Sequence, residues 1–96
     1  DIVYKYHGTL PMSVGTGGTK EIARITLQMM GFDRYIDFVV SADDVEHHKP
    51  WPDTFLKCAE LMNTEPGYCQ VFEDGDMGLL AAEKAGMIVT DIRPYI

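Results

Sequence analysis

A chain of 96 residues, 46% hydrophobic and 24% charged, has the size and composition of one globular unit and leaves no room for a second domain. Eight basic against fifteen acidic residues give a net charge of −7, which repels phosphate backbones and anionic lipid and argues against nucleic-acid or membrane-surface partners. No stretch approaches the ~18 consecutive apolar residues that a membrane span needs. The chain opens without Met in DIVYKYHG, which reads as the last turns of an amphipathic helix, so it is expected to be a piece of a longer protein.

Taken in order, Pro11-Met12-Ser13-Val14-Gly15-Thr16 is a short strand running into a glycine turn. A helix is predicted over 20–30, with Ile22, Ile25 and Met29 on one face and Ala23, Leu27 and Met30 beside it. Gly31 is its natural stop. Phe38-Val39-Val40-Ser41 is the next strand, and Pro52 and Asp53 open a helix carrying Phe55, Leu56, Ala59 and Met62. Cys69-Gln70-Val71-Phe72 makes a third strand, an Ala-rich helix follows over 78–85, and Met87-Ile88-Val89 is a fourth strand. The methionines at 29, 30, 62, 77 and 87 read as core filling. Cys58 and Cys69 lie in apolar runs and are too few for a disulfide scaffold, so buried thiols and a cytoplasmic address are expected.

Apolar strands separated by helices indicate an α/β fold, a parallel sheet covered on both faces in a Rossmann-like arrangement. Ligands of such sheets bind beyond the carboxyl ends of the strands. There the chain sets Thr16-Gly17-Gly18-Thr19 after the first strand, Ser41-Ala42-Asp43-Asp44 leading to His47-His48-Lys49-Pro50 after the second, and Glu73-Asp74-Gly75-Asp76 after the third. Taken singly, the glycines read as a turn, Lys49 as a solvated charge and the acidic pair as a helix cap. Together they supply hydroxyl and amide donors, a cation and hard oxygen ligands, the parts that hold a phosphate and Mg²⁺. His47 and His48 point to opposite sides of an extended segment, so a loop role beside the rim is expected and a shared metal is not. Trp51 reads as a surface or interface aromatic, and Asp76 as a cap or first-turn residue.

The ordered set Val14-Gly15-Thr16-Gly17, His48-Lys49-Pro50-Trp51-Pro52-Asp53-Thr54-Phe55, Val71-Phe72-Glu73-Asp74 and Ala81-Ala82 to Ala85-Gly86-Met87 resembles the haloacid dehalogenase (HAD) superfamily of hydrolases. Within it, the likeness is to the β-phosphoglucomutase-like group and especially to fructose-1-phosphate/6-phosphogluconate phosphatases, over residues 6–93. The resemblance implies phosphoryl transfer from a small sugar phosphate through an aspartyl-phosphate, with Mg²⁺ as cofactor. Thr16 and Lys49 would contact the transferring phosphoryl group, with the Gly17 amide beside them. Asp74 would bind the metal directly, and Glu73 directly or through water. Pro50 would bias Lys49 toward an extended backbone.

The family's D-x-D-G-T/S segment, with its nucleophile and acid/base aspartates, has no counterpart here. Lys5-Tyr6-His7-Gly8-Thr9-Leu10 carries only the tail of that pattern. The whole chain, 1–96, is therefore expected to be the carboxyl-terminal part of a HAD-type catalytic core, inactive alone, with the preceding segment or a second chain completing the sheet. A phosphosugar mutase of the same fold is the near alternative. A phospho-receiver module is the distant one, but receivers place their acids before the Thr and Lys, whereas Thr16 and Lys49 here precede Glu73-Asp74.

Overall fold

The computed structural model describes residues 8–95. Apart from Gly8, the helical ending expected over 1–8 lies outside the described residues. Strand β1 (Ser13–Gly15) is followed by helix α1 (Lys20–Met30), strand β2 (Phe38–Val40), helix α2 (Asp53–Leu61), strand β3 (Gln70–Glu73), helix α3 (Asp76–Lys84) and strand β4 (Ile88–Asp91). Short 3₁₀ turns span Ala42–Asp44, Pro66–Tyr68 and Arg93–Tyr95. The alternation expected from the sequence is present, with each boundary within two residues of its predicted place.

The strands form two parallel pairs. Ser13 aligns with Phe38 and Gly15 with Val40 in the first, Gln70 with Ile88 and Glu73 with Asp91 in the second. Among the described residues no ladder joins β1 to β3, so the single sheet expected from sequence is divided here into two two-stranded sheets. Helix α2 spans the division, packing against β1, β2 and α3. Its Phe55 and Ala59 meet Val71, Met87 and the small residues Ala81, Ala82 and Ala85 in the main core. Burying a side chain such as Phe55 contributes roughly 1.5–3 kcal/mol. The alanines of α3 let that helix lie close to β3 and β4.

Helix α1 starts where the Thr19 hydroxyl accepts from the Ile22 amide at 3.3 Å. It ends at Gly31, whose φ of +76° suits glycine and whose amide reaches the Leu27 and Gln28 carbonyls. Its two apolar stripes are buried unequally. Ala23 and Leu27 are the buried positions, while Ile22, Ile25 and Met29 face outward, Met29 being 83% exposed. Apolar residues occupy two adjacent stripes of α1, and the small β1–β2 pair covers only one of them. The core-filling expectation for methionine is corrected accordingly: Met87 is buried and Met62 half-buried, but Met29, Met30 and Met77 are exposed. Cys58 and Cys69 are buried free thiols, as expected.

Candidate active site

The carboxyl ends of β1 and β3 converge on Lys49. Its Nζ donates to Gly15 O at 3.3 Å and to Glu73 Oε2 at 3.1 Å, and lies 4.8 Å from the centre of the Phe55 ring. The Lys49 and Glu73 side chains are 18% and 14% exposed, so their attraction is only partly screened by water. The Lys49–Pro50 peptide is cis. Glycine at position 15 is required by close approach, because a Cβ there would stand 2.7 Å from Thr54 Cγ2 of α2.

Thr16 follows Gly15 directly. Its amide extends the β1–β2 ladder by donating to Val40 O at 2.8 Å, and its Oγ1 accepts from Gly18 N at 3.1 Å. The hydroxyl proton thus remains available to a ligand. Gly17 is exposed at the head of the same turn.

Glu73 and Asp74 sit together at the end of β3 but are differently engaged. Glu73 Oε1 accepts the amides of Asp74 and Gly75 at 3.1 and 3.2 Å, while Oε2 takes Lys49. The Asp74 carboxylate is exposed and has no partner among the described residues. Asp76 occupies the first turn of α3, as expected, and pairs with Arg93 at 2.9 Å. Arg93 also grips Asp91 at 2.7 Å, holding that carboxyl below its usual range. Asp74 is therefore the unpaired carboxylate of the Glu73–Asp76 segment. Its hard oxygens fit a cation such as Mg²⁺. Among the described residues, no three His, Cys, Asp or Glu side chains gather to form a complete ligand set.

The neighbouring loop is more ordered by hydrogen bonds than its sequence announces. His47 Nδ1 meets Asp53 Oδ2 at 3.3 Å and its ring lies 5.5 Å from that of Trp51, while His48 Nε2 contacts the Ala42 carbonyl at 3.2 Å. The two histidines thus take separate partners. Trp51 is 56% exposed, with Lys84 over its ring. Sequence reasoning placed Asp44 after the second strand but gave it no role; its carboxyl is held at about 2 by the Lys20 ammonium and the Ser41 amide. The pattern Ser41-x-x-Asp44 was its one available signal. Burial pushes the Cys58 thiol up, which keeps it protonated and removes it as a nucleophile.

The sequence profile of the haloacid dehalogenase-like hydrolases matches residues 5–92. The chain belongs to this family. It is 52% identical over 93 residues to a fructose-1-phosphate phosphatase of Escherichia coli, covering 97% of this chain and 50% of that protein. A HAD phosphatase from Thermococcus onnurineus superposes with a TM-score of 0.82 at 29% identity, over 96% of this chain and 42% of that one. A β-phosphoglucomutase from Clostridium difficile does so with a TM-score of 0.69 at 30% identity, over 72% and 31%. The HAD chain spans about half the length of the curated relatives it matches. The HAD assignment bears out the α/β parallel-sheet reading and sets aside the receiver module.

Proposed function

We propose that this chain is the carboxyl-terminal portion of a HAD catalytic core whose full protein is a Mg²⁺-dependent phosphatase acting on small sugar phosphates in the cytoplasm. The observation that carries the reading is the Lys49 ammonium, held between Gly15 O and Glu73 Oε2 where two strand ends meet. An ammonium has three N–H donors, and these two contacts leave one for a phosphoryl oxygen. The Thr16 hydroxyl and the Gly17 amide supply further donors on the β1 side. Positioning and charge compensation of this kind do most of the work in phosphoryl transfer.

Asp74, with Glu73 beside it, would hold Mg²⁺. Bound there, the ion would offset the negative charge of the phosphoryl oxygens. The attacking group in this reading is an aspartate of a D-x-D-G-T/S segment, which the 96 residues do not contain. The segment would enter as a strand between β1 and β3, supplied by chain preceding residue 1 or by a second chain. The relative that is a fructose-1-phosphate phosphatase supports a sugar phosphate as substrate. The likeness to a β-phosphoglucomutase favours a phosphosugar mutase as the second reading.

The test is phosphate release from a panel of hexose and pentose phosphates with Mg²⁺, using protein expressed from the complete reading frame. Magnesium-dependent release from at least one ester supports the phosphatase. Interconversion of sugar phosphate isomers without release would establish the mutase, and neither activity would overturn the proposal.

A further inference from the structure

Three segments reach the rim from distant parts of the chain: 16–18 after β1, 41–44 after β2, and 48–49 before α2. They are joined through Ala42, a residue with no reactive side chain. Its N–H donates to Gly18 O at 3.0 Å and its carbonyl contacts His48 Nε2 at 3.2 Å. Because a carbonyl only accepts, the proton of that contact sits on His48 Nε2. On one side of Ala42, Gly18 N–H donates to Thr16 Oγ1 at 3.1 Å; on the other, Lys49 Nζ donates to Gly15 O at 3.3 Å. Gly15, Thr16, Gly18, Ala42, His48 and Lys49 thus form a closed circuit of chain and hydrogen bonds. The Thr16 hydroxyl and the Lys49 ammonium are both members of it.

Asp44 fixes Ala42 in this circuit. Its Oδ2 accepts from Ser41 N at 2.8 Å and from Ser41 Oγ at 3.1 Å, and its own amide donates to Ser41 O at 3.0 Å. Ser41 is fully buried, so this turn has little freedom to move. The same carboxylate pairs with Lys20 Nζ at 2.8 Å. Lys20 is the first residue of α1, two positions beyond Gly18, so Asp44 grips both the turn that carries Ala42 and the start of the helix that follows the glycine turn. A carboxylate serving only as a local cap would need the Ser41 contacts and not the lysine.

We propose, resting on the phosphatase reading, that Asp44 is a positioning residue that sets the separation of the Thr16 hydroxyl and the Lys49 ammonium, with His48 carrying its influence to the lysine segment. A displacement of about 1 Å in such a pair costs on the order of 10²-fold in rate.

The test uses protein from the complete reading frame and inorganic phosphate as the probe. Asp44→Ala and His48→Ala are expected to raise the phosphate Kd about tenfold or more. Asp44→Glu, which preserves a capping-box acid, is expected to recover most of the affinity. Ala85→Gly, destabilised far from the circuit, should retain the wild-type Kd when compared at equal loss of Tm. The Gly18 amide and His48 ring resonances of Asp44→Ala should move together without any phosphate. A phosphate Kd within twofold of wild type in Asp44→Ala, or an equal loss in Ala85→Gly, would overturn the proposal. If the wild type bound no phosphate, the phosphatase reading would fail by itself. The positional coupling would then be decided by the Gly18 and His48 resonances, upheld if they move together and overturned if they do not.

Discussion

Lys49 and Glu73, 24 positions apart in sequence, are joined at 3.1 Å across the ends of two strands that do not pair with each other. Each is mostly withdrawn from solvent, and each has other partners that restrain it: the Gly15 carbonyl for the lysine, two loop amides for the carboxylate. A partly buried ion pair with satisfied neighbours is costly to break from one side, because the remaining charge keeps its desolvation cost without compensation.

A double-mutant cycle follows from that pair. Lys49→Met and Glu73→Gln should each destabilise the fold, and the double variant should lose less than the two losses added. The coupling energy expected from urea denaturation is about 1–3 kcal/mol. Strict additivity would mean that the two side chains are independent in solution.

Two glycines beside the pair have opposite expectations from a third. A Cβ at Gly15 would meet Thr54, and one at Gly78 would meet the Glu73 carboxylate, whereas one at Gly17 would meet nothing within 4 Å. Gly15→Ala and Gly78→Ala should each cost about 1–3 kcal/mol through overpacking, and Gly17→Ala less than about 0.5 kcal/mol. Thermal unfolding of the three variants checks the order. Gly78→Ala should in addition weaken the coupling between Lys49 and Glu73.

The outward stripe of α1 yields a sharper contrast. Leu27→Ala removes a buried side chain and should cost roughly 2–5 kcal/mol. Met29→Lys changes an exposed one and should stay within about 0.5 kcal/mol of wild type. Equal losses at both positions would mean that the exposed stripe is covered in solution.

Asp44 has a carboxyl pKa lowered to about 2 by Lys20 and Ser41, below the unfolded value of about 3.9. Its contribution to stability is therefore present above about pH 4 and lost as the pH falls through about 2. The Tm difference between wild type and Asp44→Asn should be constant from about pH 7 to 5 and shrink steadily from about pH 4 to 2. A difference that does not change across that range would assign the lowered pKa to no folding linkage.

The carboxyl limit of α1 was legible because Gly31 is specific punctuation there, while the Thr19 cap at its start emerges from the structure. The rim residues were legible because Thr16, Lys49, Glu73 and Asp74 all follow strands or precede a helix opened by Pro52 and Asp53. Their meeting at one rim was an expectation of topology, and the Lys49–Glu73 pair is the part of it that a distance makes concrete. The buried side of α1 was not legible, since Ile22, Ile25 and Met29 are as apolar as Ala23 and Leu27. What decides between them is the width of the β1–β2 pair, a tertiary quantity. The roles of Asp44 and Arg93 were not legible because they depend on partners at Lys20, Asp76 and Asp91, and no local periodicity encodes such pairs.

Asp74 offers the most direct test of the central claim, that the rim formed by Thr16, Lys49 and Asp74 is a phosphoryl site served by Mg²⁺. The measurement is the Mg²⁺ dependence of fructose-1-phosphate hydrolysis by wild type and Asp74→Asn, in protein from the complete reading frame. The account predicts a fall in kcat/KM of at least about 10²-fold, with a much higher Mg²⁺ concentration needed for half-maximal rate. Wild-type hydrolysis with an unchanged Mg²⁺ requirement in Asp74→Asn would contradict it.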